Sequence, residues 1–128
     1  MLTAFEAAVL AKLLAGDHPA LIALRGQLER ASVRSRKFSG AGFFLKFDVP
    51  PEAPAASVRS GRVHFGDVAA EFAQLKHGAG FVLFVQDGRL ETLEGYSYDE
   101  PWLKEPETFE LSYTAKDRSA VFKALEAK

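Results

Sequence analysis

Asp87-Gly88 stands between two runs of β-forming residues, 81–85 and 90–94, and no other feature constrains the chain so tightly. A type I′ turn needs positive φ at both central residues, which aspartate tolerates and glycine adopts freely, and its twist matches that of paired strands. The dipeptide therefore predicts a two-residue hairpin. Counted outward from it, Val85 faces Leu90, Phe84 faces Glu91, Leu83 faces Thr92 and Val82 faces Leu93.

A lone hairpin is marginal in water, so this one needs neighbours, and the flanking sequence supplies them. Phe43, Leu45, Phe47 and Val49 alternate with Phe44, Lys46 and Asp48, which predicts a strand with one apolar face and one mixed face. Period-two patterning begins near Val33. Val63 and Phe65 resume it, and Val68, Ala70 and Phe72 carry it past Gly66, where a bulge fits. A last alternating run covers 109–113. The prolines at 50, 51 and 54 cannot continue a ladder, so that stretch reads as a loop.

The two ends of the chain change period. Thr3 and Glu6 form a capping box, after which Phe5, Val9, Leu10, Leu13 and Leu14 share one helical face and Gly16 supplies the stop. Asp17-His18-Pro19 combines an N-cap acceptor with a proline suited to the first turn. A second helix follows with Leu21, Ile22, Leu24 and Leu28 inward, and Arg25, Gln27, Glu29 and Arg30 outward. Asp117 caps a final helix that turns Val121, Phe122 and Leu125 inward. The whole reads as one α+β domain over residues 1–128: an antiparallel sheet of about five to six strands, an N-terminal helical hairpin and a C-terminal helix. Eleven phenylalanines in 128 residues point to a dense core.

Charge narrows the function classes. The formal net charge is only -1, so no global field draws polyanions or anionic lipid. The distribution is lopsided: Arg25, Arg30, Arg34, Arg36, Lys37 and Lys46 crowd one stretch, while acids dominate 86–110. Arg34, Arg36 and Lys37 beside Phe38, Phe43 and Phe44 have the residue types of a single-strand nucleic-acid surface. Cross-strand ion pairing and the needs of the core explain them better, and no nucleic-acid partner is expected. With no cysteine, disulfides, thiol catalysis and thiolate metal sites are excluded. No basic leader and no membrane-length apolar run is read, so no membrane partner is expected and the cytoplasm is the expected location.

No catalytic or metal signature emerges. The two Gly-Ala-Gly segments, at 40–42 and 78–80, run into strands rather than helices and so lack the context of a phosphate loop. His64, Asp67, Glu71 and His77 have ligand chemistry, but along a regular strand His64 faces away from Asp67 and Glu71. Glu91 and Glu94, the nearest thing to a carboxylate pair, fall on opposite faces by the same counting. No serine sits in an elbow motif. The expectation is no catalytic residue, no metal and no cofactor.

The segment 93–102 holds the chemistry of an interface. Tyr96, Tyr98 and Trp102, the only tryptophan, are interleaved with Glu94, Asp99 and Glu100. Large aromatic anchors rimmed by charge recur at protein contacts. The chain is therefore read as a non-enzymatic protein-binding module, immunity-like or antitoxin-like, with a partner of basic surface. The alternative is a small enzyme or ligand-binding protein with a site on the open sheet face, using His64, His77 or an acidic residue.

The run from His77 to Gly88, the segment 93–102, Gly16-Asp17-His18-Pro19 and Phe65-Gly66-Asp67-Val68 together resemble a family of small uncharacterised bacterial proteins. That resemblance implies no activity, cofactor or binding residue.

Overall fold

A computed structural model describes residues 1–126. Its elements run α1 (Ala4–Leu13), α2 (Pro19–Arg30), β1 (Ser32–Phe38), β2 (Gly42–Asp48), β3 (Arg62–Phe65), β4 (Val68–Phe72), β5 (Leu75–Gln86), β6 (Arg89–Ser97), β7 (Glu110–Tyr113) and α3 (Ser119–Leu125). All strand pairs are antiparallel, in the order β1-β2-β6-β5-β4-β7, with β3 also on β5. The fold is thus α+β with a seven-stranded sheet. The count exceeds the expected six because Gly66 and Asp67 break one run into β3 and β4, which pair with successive parts of the long β5. Among the described residues no helix is long and apolar enough to cross a membrane.

The helices form for the reasons their ends announce. The Thr3 hydroxyl accepts from the Glu6 amide at 3.1 Å and the Glu6 carboxylate accepts from the Thr3 amide at 3.0 Å. At α2 the cap is His18 rather than Asp17: Pro19 occupies the first helical position, so the residue before it is the cap, and His18 Nδ1 accepts from the Ala20 amide at 3.1 Å. At α3 the Asp117 carboxylate accepts from the Ser119 amide at 3.0 Å, one residue earlier than a regular cap.

One sheet face meets α1 and α2. Phe5, Leu10, Leu13, Leu21 and Leu24 pack there against Phe43, Leu45, Phe81, Leu83 and Leu93. Two residues of α2 exchange the roles read from their chemistry. Ile22 is exposed, whereas Gln27 is 1% exposed. Position 27 lies three residues after Leu24 and seven after Ala20, squarely on the buried stripe. Its side-chain amide donates to the Gly88 carbonyl at 2.7 Å and the Pro54 carbonyl at 3.0 Å, and its oxygen accepts from the Leu90 amide at 3.0 Å. A buried amide with every group engaged is tolerated. At α3, Val121 and Leu125 are buried as read, while Phe122 is exposed and stacks on His18 at 5.1 Å.

Asp87 and Gly88 take φ of 48° and 79°, as the turn requires. Val85 faces Leu90, but the register then slips: Phe84 faces Thr92, Leu83 faces Leu93 and Val82 faces Glu94. Glu91 is the extra residue of a bulge. The slip corrects the simple outward count, and its cause is burial. It sets Leu93 opposite Leu83 on the core face, where the unbulged register would have set Thr92.

Candidate functional site

The slipped register decides which side chains reach the face turned away from α1 and α2, called here the bare face. Three cross-strand rows cross it: Lys46, Thr92, Phe84 and His64; then Lys37, Phe44, Glu94 and Val82; then Gly42, Tyr96, Gly80 and Ala69. Glu91 joins them at the bulge. Glu91 and Glu94 therefore line the same groove, against the expectation of opposite faces, because one inserted residue reverses the alternation.

Tyr96 lies flat over Gly80, so close that a Cβ there would stand 2.5 Å from the phenol. Tyr98 meets Tyr96 edge-to-face at 5.5 Å and stays 45% exposed. Burial, then the neighbouring Tyr98 and Glu94, pushes the Tyr96 hydroxyl above the usual phenol range, so it is a neutral hydroxyl at physiological pH. Asp99 turns the chain with a φ of 61° and is exposed.

Past Asp99 the segment serves the fold. The two Glu100 oxygens accept from the consecutive Lys76 and His77 amides, each at 2.9 Å, and these bonds hold its carboxyl below the usual range. The Ser97 hydroxyl donates to the Glu100 carbonyl and to the Ala41 carbonyl. Trp102 is 1% exposed, so it is not a surface anchor. The left-handed turn at Asp99 directs the chain back under the sheet end, and the Trp102 amide there donates to the Gly40 carbonyl at 2.9 Å. Of the six residues singled out in this segment, Glu94, Tyr96, Tyr98 and Asp99 face outward or partly so, while Glu100 and Trp102 are engaged internally.

The other candidates are dispersed. Asp67 is buried and receives Arg118 at 2.8 and 3.0 Å, and Arg118 also donates to the Leu13 and Ala15 carbonyls at the end of α1. No group of three or more His, Asp or Glu side chains gathers with metal-binding geometry among the described residues. The two arginines of the basic run of β1 are paired as well: Arg34 with Asp48 at 2.7 Å and Arg36 with Glu6 at 2.6 Å.

A groove of about 410 Å³ runs over β6 on the bare face. Phe44 and Lys46 of β2 and Arg34 of β1 form one wall, Phe84 and Arg62 the other, with Thr92 beneath and Glu91 and Glu94 alongside. The Arg62 guanidinium stacks 4.0 Å above the Phe84 ring and pairs with Glu91 at 2.6 Å. Sequence reasoning missed this grouping. The signal it lacked was the bulge, since only the slipped register unites Thr92, Glu94 and Phe84 on one face. Comparison of the chain with known protein families, with curated proteins and with solved structures found no match.

Proposed function

We propose that this chain is a non-enzymatic binding module whose working surface is the bare face of its sheet and whose partner is another protein. The observation that supports this reading is exposed aromatic area where no helix of the N-terminal pair provides cover: Tyr98 at 45% and Phe44 at 39%, with Tyr96 half-buried between them and the turn. Rings held rigid by a sheet give contact area at low entropic cost. Glu94 and Asp99 rim that area and favour a partner with a basic surface. An immunity-like or antitoxin-like role is one concrete form.

The test is affinity capture from native host lysate with three baits: the wild-type chain, the double variant Phe44→Ser with Tyr98→Ala, and Ile22→Ser on the helical side. A true partner is retained by wild type and by Ile22→Ser and lost by the double variant. Should every captured protein stay with the double variant, the bare face is not the working surface. A ligand-binding site on the same face is a second reading, and the groove over β6 supports it.

A further inference from the structure

Lys46 and Thr92 are direct cross-strand partners that both line the groove, and neither polar group is matched. Arg34 and Arg62 each hold a carboxylate, Asp48 and Glu91, whereas Lys46 makes no ion pair among the described residues. Thr92 is 4% exposed and its hydroxyl has no hydrogen-bond partner among them. No fully enclosed side-chain polar atom lacks a partner, so this hydroxyl is one that still reaches the groove. Cross-strand Cβ atoms lie about 5 Å apart, which lets an ammonium and a hydroxyl from such a pair share one carboxylate.

We propose that the groove binds a small planar organic monoanion, an aromatic carboxylate. Its carboxylate accepts from the Lys46 ammonium and the Thr92 hydroxyl. Its ring rests on Phe44 and against the Arg62–Phe84 stack, which is both apolar and cationic. Glu94, one row from Thr92 on the same face and opposite Phe44, repels a second negative charge, so a dianion is disfavoured. This inference rests on the bare face being a working surface; the groove shares Phe44 with the proposed protein-docking area and does not include Tyr96 or Tyr98.

The experiment is a titration of the full chain with 2-naphthoate and, as its neutral counterpart, 2-naphthamide, followed by amide chemical shifts. Naphthoate is expected to shift the Lys46, Thr92 and Phe84 amides saturably, with a dissociation constant of about 1 mM for a ligand of this size. Naphthamide on the wild type, and naphthoate on Lys46→Gln, bind about tenfold or more weakly, the worth of one charge-assisted hydrogen bond. Thr92→Val weakens naphthoate without altering amide shifts remote from the groove, and Tyr98→Ala leaves the naphthoate titration unchanged. Absence of saturable shifts up to about 10 mM, or equal binding of acid and amide, overturns the proposal; that result leaves the capture experiment with Tyr98 variants unaffected.

Discussion

At the scale of single residues, Trp102 shows how a side chain with interface chemistry comes to hold a core together. Five phenylalanine rings, from Phe5, Phe38, Phe43, Phe72 and Phe81, lie with centroids 5.4 to 6.3 Å from its indole. Its Nε1–H donates to the Lys104 carbonyl at 2.8 Å, which meets the one polar demand of a buried indole. Trp102→Ala removes that packing and leaves a cavity, at an expected cost of about 3–5 kcal/mol. Denaturant unfolding measures it, and a loss under about 1 kcal/mol would mean the ring is not packed as described. Tyr98, four positions earlier, has similar chemistry and the opposite exposure. The two could not be told apart in the sequence, because what separates them is a reversal at Asp99 in left-handed φ, and aspartate adopts such a φ only in particular contexts.

At the scale of elements, the hairpin turn was legible and its support was not. Asp87-Gly88 specifies a turn from local sterics alone. The turn is nonetheless completed by a helix, since Gln27 of α2 bonds Gly88 and Leu90, more than sixty positions away in the chain. Gln27→Ala leaves the buried Leu90 amide without its acceptor, at an expected cost of about 1–3 kcal/mol. Hydrogen exchange is the measurement: protection at Leu90 should fall by more than the global loss, while amides between β1 and β2 fall only by the global loss. Unaltered exchange at Leu90 would remove Gln27 from this role. The bulge at Glu91 was equally hidden. Alternation predicts a strand but not its register, which depends on which partner buries the more apolar set.

At the scale of the whole molecule, the helical layer is fastened to the sheet by two ion pairs, Glu6 with Arg36 and Asp67 with Arg118. Burial by itself would raise the Glu6 carboxyl, but the hydrogen bond from Arg36 and the amide of Thr3 outweigh it and set it below its ordinary value. A carboxyl lowered on folding contributes stability above its unfolded pKa of about 4.3 and loses it as pH falls through the folded value. Stability should therefore be level near neutrality and decline once the medium is more acid than about pH 4.5. Glu6→Gln is expected to be less stable at pH 7 by roughly 1–2 kcal/mol, below the cost of breaking a fully buried pair because the Arg36 side chain is 36% exposed and stays solvated, and to decline less steeply in acid. Urea unfolding from pH 7 to about pH 3 tests both; an identical acid slope in the variant would show that Glu6 does not drive it.

What the sequence by itself determined were the features set by neighbours along the chain: the helix starts at Thr3 and Pro19, the alternation of the strands, the turn at Asp87-Gly88, and so the α+β class. Sterics and hydrogen bonds within a few residues decide these. Only the tertiary structure decided that Gln27 is buried, that Glu91 bulges, that Trp102 is enclosed while Tyr98 is exposed, and that Lys46 and Thr92 share a groove with Phe44 and Phe84. Those outcomes depend on which distant segments compete for the same apolar space, a quantity that local spacing does not contain.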